Sequence, residues 1–120
     1  VTVFLSSINA REIISCKSEA IELPNHPGTS ARVQQLPVNE LNRLAKPAVK
    51  PGPEGDKARI ELITKSIVNE DGTPVFTAEL AADLAICNAP IFSDLMTVIG
   101  KANNKTRPEA EKDLDDAEKN

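Results

Sequence analysis

Ile67-Val68-Asn69-Glu70-Asp71-Gly72-Thr73-Pro74-Val75-Phe76-Thr77-Ala78-Glu79 ends one helical pattern, turns sharply and starts another. Gly72 is the residue best able to take the left-handed conformation that closes a helix, and Pro74 stands where a helix cannot resume. The first helix is therefore expected to stop near Asn69. Thr77 is a good N-cap, Glu79 puts an acid in the first turn where the helix dipole favours it, and Phe76 can pack on Ala81 as a hydrophobic staple. A second helix is expected from there. The rest of the chain reads as elements on either side of this turn.

On the C-terminal side, Leu80, Leu84 and Cys87 carry the helical pattern over residues 77–88, and Pro90 opens a further helix. Ile91, Leu95, Val98 and Ala102 line one side of that helix, with Phe92 and Ile99 on the adjacent one. Most of its circumference is apolar. A helix of that kind is usually core, and the competing reading is an exposed groove or oligomer seam. Ile91, Phe92, Leu95, Val98 and Ile99 are accordingly the candidate partner or oligomer surface. Gly100 weakens the end of the helix, and Asn103-Asn104 can cap it.

On the N-terminal side, Ile60, Ile63 and Ile67 at i, i+3 and i+7, widened by Leu62, predict a helix over residues 57–69 with Asp56 as its cap. Residues 46–56 hold Pro47, Pro51, Pro53, Gly52 and Gly55, a composition that predicts an extended or mobile loop. Pro47 is expected to stop a short helix that starts at Pro37 and presents Val38, Leu41 and Leu44. Before it, residues 18–23 and 31–36 alternate with period two around a loop at 24–30, which predicts a β-hairpin that helices must cover on one face. Ser6 and Ser7 precede a short helix over residues 8–14. The expected fold is α+β: a mainly α-helical single domain over residues 1–106 with one small β-hairpin near the N-terminus. Residues 107–120 form an acidic tail, helical or disordered.

Composition narrows the function classes. The chain has 120 residues, 40% of them hydrophobic, with three Phe and no Trp or Tyr, so the core must be aliphatic and aromatic interface anchors are scarce. Net charge is −4, and residues 107–120 carry −3 of it. That balance opposes nucleic-acid binding, which draws on clustered Lys and Arg. No apolar run approaches the roughly 18 residues of a membrane span, and no signal peptide is expected. Cys16 and Cys87, far apart and without metal-ligand spacing, read as reduced cytosolic thiols.

No catalytic set is legible, and none is expected. His26, the only histidine, sits in a Pro-rich loop and is expected to be a solvated turn residue rather than an acid or base. Cys16 and Cys87 read as structural thiols, the latter in the core. Gly52-Pro53-Glu54-Gly55-Asp56-Lys57 fails as a phosphate loop, because its prolines remove backbone donors and its acids repel phosphate. The turn at Gly72 fails as a calcium loop, because Ile67 and Ala78 would fall at its first and last ligand positions. Neither cofactor nor metal is expected.

The strand pair ending in Arg32-Val33-Gln34-Gln35-Leu36, the helix from Pro37, the run from Ser66 through Asp71-Gly72-Thr73-Pro74-Val75-Phe76 to Thr77, and the charged end closing on Lys119-Asn120 resemble the tail assembly chaperones of long-tailed bacteriophages. Members of that family have a short leading helix, a Val-Arg-Val-Arg-Glu-Leu segment followed by a helix, an Asp-Glu-Asp-Gly-x-Pro-Leu-Phe turn and further helices. The similarity spans nearly the whole chain, and the turn is its distinctive part. The chain departs from the pattern in its Pro-rich segment, residues 46–55, and in a hairpin loop without the Trp-Gly often found there.

The resemblance implies a non-enzymatic protein that binds the long, hydrophobic, helical tape measure protein and keeps it soluble while tail tube subunits assemble. It implies several copies acting together as a homo-oligomer, and recruitment of the tail tube protein by a longer, frameshifted product. It also implies work in the host cytoplasm and absence from the mature virion. The competing structural reading is a head-tail joining or minor tail protein.

Overall fold

Alternation of side chains sets the sheet. Residues 18–23 and 31–36 form β1 (Ser18–Glu22) and β2 (Ser30–Gln34), antiparallel from Ser18 opposite Gln34 to Glu22 opposite Ser30. A third strand, β3 (Ile67–Val68), pairs with the other side of β2 through Arg32–Val68 and Val33–Ile67, giving the order β1-β2-β3. Five helices complete the computed structural model, which describes residues 2–104: α1 (Ala10–Ile14), α2 (Val38–Ala48), α3 (Pro53–Ser66), α4 (Ala78–Asp83) and α5 (Ala89–Asn104). The fold is α+β, mainly helical, with a small antiparallel sheet. The acidic tail expected over 107–120 lies outside the described residues.

The apolar stripes of α3 and α5 meet the inner face of the sheet. Leu23, Val33, Ile63, Ile67, Leu84, Leu95, Val98, Ile99 and Ala102 form the main buried cluster, and Leu36, Leu44, Ala48, Ala58 and Leu62 form a second one between α2 and α3. Met96 packs against both. Each fully buried aliphatic side chain contributes about 1.5–3 kcal/mol, so the first cluster dominates the stability. Polar bonds fix the ends of α5. Asn88 Oδ1 accepts the Ile91 N–H at 3.0 Å, Gln35 Nε2 donates to the Ala102 carbonyl at 3.0 Å, and Asn103 Oδ1 accepts the Leu36 N–H at 3.1 Å.

Five expectations are corrected. The helix expected to run to Asn69 ends at Ser66, because Ile67 and Val68 pair with β2 instead. Ile67 is 3% exposed, so the helical stripe and the strand both bury it, and ladder bonds decide between them. Gly72 is left-handed as expected, with φ +89°, but it closes a strand-return turn rather than a helix. The Gly72 N–H donates to the Asn69 carbonyl at 2.9 Å, and the Asn69 N–H to the Thr73 carbonyl at 2.7 Å. The Asp71 carboxylate accepts from the Thr73 hydroxyl and N–H, bonds that hold its pKa below the usual range.

The mobile loop expected over 46–56 is a tight corner. Pro47 lies inside the last turn of α2, and Pro53 opens α3 at a position where its missing N–H has no partner to lose. Gly52 takes φ +86° just before it. Gly55 is buried against the Lys50 carbonyl, where an added Cβ would come within 1.7 Å of the oxygen. The Arg59 guanidinium pairs with Asp56 and donates to the Ala48 and Lys50 carbonyls at 2.6 and 3.1 Å, completing the corner. Two further helices are shorter than expected. α4 starts after Thr77 as expected but ends at Asp83, with Leu80 inside it 45% exposed, and α1 spans five residues and buries none.

Candidate functional site

The candidate surface on α5 is corrected by burial. Leu95, Val98 and Ile99 are 3%, 0% and 4% exposed, and Ile91 and Phe92 are half-buried against the same cluster. Leu95, Val98 and Ile99 hold the sheet and α3 together and have almost no exposed surface, while Ile91 and Phe92 keep only part of theirs. Another face of α5 remains open. Met96, Gly100 and Asn103 form one wall of a groove of about 380 Å³, whose other walls are Leu41, Ala45 and Val49 beside Leu62. Among the described residues no charged side chain lines it. Val49 is 83% exposed, and a Cβ at Gly100 would meet nothing within 4 Å.

A larger cleft of about 490 Å³ lies against the sheet, bordered by Val68, Phe76 and Ile91 but also by Arg32 and Glu70. The α2/α5 groove is the more apolar in character. Its volume lies in the range of ordinary binding pockets. The helices beside it are braced on their exposed side: Arg43 pairs with Glu40 and Glu61, and Lys65 reaches Glu40 at 3.0 Å and Glu61 at 3.6 Å. Hydrogen bonds from Arg43 and Lys65 lower the Glu40 pKa, and those to Glu40 and Glu61 raise that of Arg43.

His26 is not the solvated turn residue its local sequence indicates. Its Nδ1 lies 2.8 Å from Oδ2 of Asp94, a carboxylate on α5 that is 1% exposed. The same carboxylate accepts the Asn25 backbone N–H at 2.9 Å and the Asn25 side-chain amide at 2.7 Å. Burial pushes the Asp94 pKa up, but the bonds from His26 and Asn25 outweigh it, and the net direction is down. The arrangement clamps the β1–β2 loop onto α5. Sequence separation of 68 residues hides the pair, although a lone Asp within an apolar helix is the signal that something must satisfy it. Cys16 is exposed and free; Cys87 is half-buried, and its Sγ donates to the Leu84 carbonyl at 3.3 Å.

The chain also carries apolar side chains outside both clusters. Val3, Phe4, Leu5, Ile8, Ile13 and Ile14 are all more than half exposed, with Ile8 at 94% and Phe4 at 80%. Among the described residues no group of three His, Cys, Asp or Glu side chains converges, and no helix is long and apolar enough to cross a membrane. Comparison with protein-family models, curated proteins and solved structures finds no match to the chain.

Proposed function

We propose that this protein is a non-enzymatic tail assembly chaperone of a long-tailed bacteriophage, acting in the host cytoplasm on the tape measure protein. The observation that carries the reading is the uncharged α2/α5 groove, on a chain whose Asp71-Gly72-Thr73-Pro74-Val75-Phe76 turn resembles that family. A long hydrophobic helix is kept soluble by covering its apolar stripe, and a groove between two helices takes such a stripe through anchors at i, i+3 and i+4. Met96 on the wall suits this role, since its unbranched, polarizable side chain adapts to many partner shapes. Several copies along one tape measure would cover it, and recruitment of tail tube protein falls to a longer, frameshifted product.

The test is co-expression of this chain, untagged, with the tagged tape measure protein of the same genome. Tape measure that is soluble only in its presence, and that co-elutes with it, is the expected result. Tape measure that precipitates regardless, or stays soluble alone with nothing bound, overturns the reading. Detection of the chain in purified particles would then favour a head-tail joining or minor tail component.

A further inference from the structure

We infer that the N-terminal arm of one copy docks in the α2/α5 groove of a second copy, covering it while no client is bound. The inference rests on the groove being the binding surface, and it concerns what occupies that surface in the free protein. The arm, residues 2–14, carries Val3, Phe4, Leu5, Ile8, Ile13 and Ile14, none of them in either core cluster. Its turn is preformed: Asn9 Oδ1 accepts the Ser6 N–H at 2.9 Å, and Asn9 Nδ2 donates to the Phe4 carbonyl at 3.2 Å. Residues 2–10 contain no charged side chain, and among the described residues neither does the groove lining. Two uncharged apolar surfaces therefore lack a match among the described residues.

Continuity points to the groove as the receiver. Ile13 and Ile14, at the root of the arm, line a shallow cleft with Val38 that shares Leu41 and Asn103 with the groove. Phe4 and Ile8 are nevertheless exposed, so the arm does not fill its own groove. The outer edge of β1 is a poorer receiver, because Glu19 and Glu22 place charges along it. A second copy supplies both an arm and a groove, and reciprocal exchange closes the assembly without leaving either surface bare. Side chains of this size cover roughly 100 Å² apiece. The six such side chains on each of two exchanged arms would bury roughly 1,200 Å², at the lower end of stable interfaces.

Sedimentation velocity on three proteins tests this: the wild type, a Phe4→Asp/Ile8→Asp arm variant and a Val49→Asp groove variant. All three substituted positions are exposed in the single chain, so each variant should keep the wild-type circular dichroism, and its melting temperature should fall only by what association contributes. The expected result is an associated wild type and two monomeric variants. Mixing the arm variant with the groove variant should restore a heterodimer, since one intact groove then meets one intact arm. A monomeric wild type, variants that associate like the wild type, or a mixture that stays monomeric each overturns arm exchange. Those failures leave the client reading standing. Tape measure binding undiminished in Val49→Asp would remove the groove itself.

Discussion

Helix α5 and the N-terminal arm are equally apolar in sequence and opposite in structure. Ile91, Phe92, Leu95, Val98 and Ile99 recur at helical spacing and meet a sheet face and a neighbouring helix, so they are buried or half-buried. Val3, Phe4, Leu5 and Ile8 include the same i, i+1, i+4 spacing, at Phe4, Leu5 and Ile8, but meet no facing element among the described residues, and all are exposed. Apolar content marks both segments as places where water is unwelcome. Only the availability of a partner surface within the chain separates a core from a docking surface, and on that criterion the open groove and the bare arm, rather than the inner face of α5, are where association should occur.

The largest effect expected from this contrast is at Val98. Val98→Asp buries a charge without a partner and should cost about 3–5 kcal/mol, enough to unfold a marginal domain. Ile8→Asp should change the stability of the monomer by no more than about 0.5 kcal/mol, because within one copy its side chain is already in water. Urea denaturation of the two variants side by side measures the difference; similar losses would break the comparison. Gly55→Ala is next. It drives a Cβ into the Lys50 carbonyl and should cost about 1–3 kcal/mol, where a mobile loop would have tolerated it.

Gly100→Ala sharpens the comparison in the other direction. An open groove leaves room for the methyl group, and the helix gains about 0.5–1 kcal/mol, so the melting temperature should rise. Any weakening of client binding in that variant cannot then be charged to unfolding. A narrower effect is confined to acid. The Asp94 pKa is lowered in the folded chain, so its stabilising contribution is complete above the ordinary carboxylate value of about 3.9 and is lost as pH falls through the lower folded value. Asp94→Asn should flatten the acid limb of a stability-versus-pH curve in that window. An unchanged acid limb would mean that the clamp of α5 on the hairpin loop does not depend on the carboxylate charge.

How much of this was legible in the chain depends on how local the deciding interaction is. The β1–β2 pair follows from alternation, and the left-handed turn follows from Gly72, because both are set by neighbours a few residues away. The third strand does not, since Ile67 satisfies a helical stripe and a strand equally and its pairing partners lie near residue 33. Prolines 47 and 53 read as breakers because composition cannot show that one sits in the last turn of a helix and the other in the first turn of the next. The Asp94 clamp and the α2/α5 groove depend on contacts between distant elements. They became visible only when α5 was placed against the loop after β1 and against α2.

The most direct test of where this protein works is co-expression of the tagged tape measure protein with Val49→Asp. Val49 is exposed on the groove wall and makes no part of the core, so the variant should keep the wild-type fold, as read by circular dichroism. If the groove carries the client, tape measure that the wild type keeps soluble should precipitate with Val49→Asp and fail to co-purify. Equal solubility and equal co-purification with both proteins would contradict the groove as the working surface.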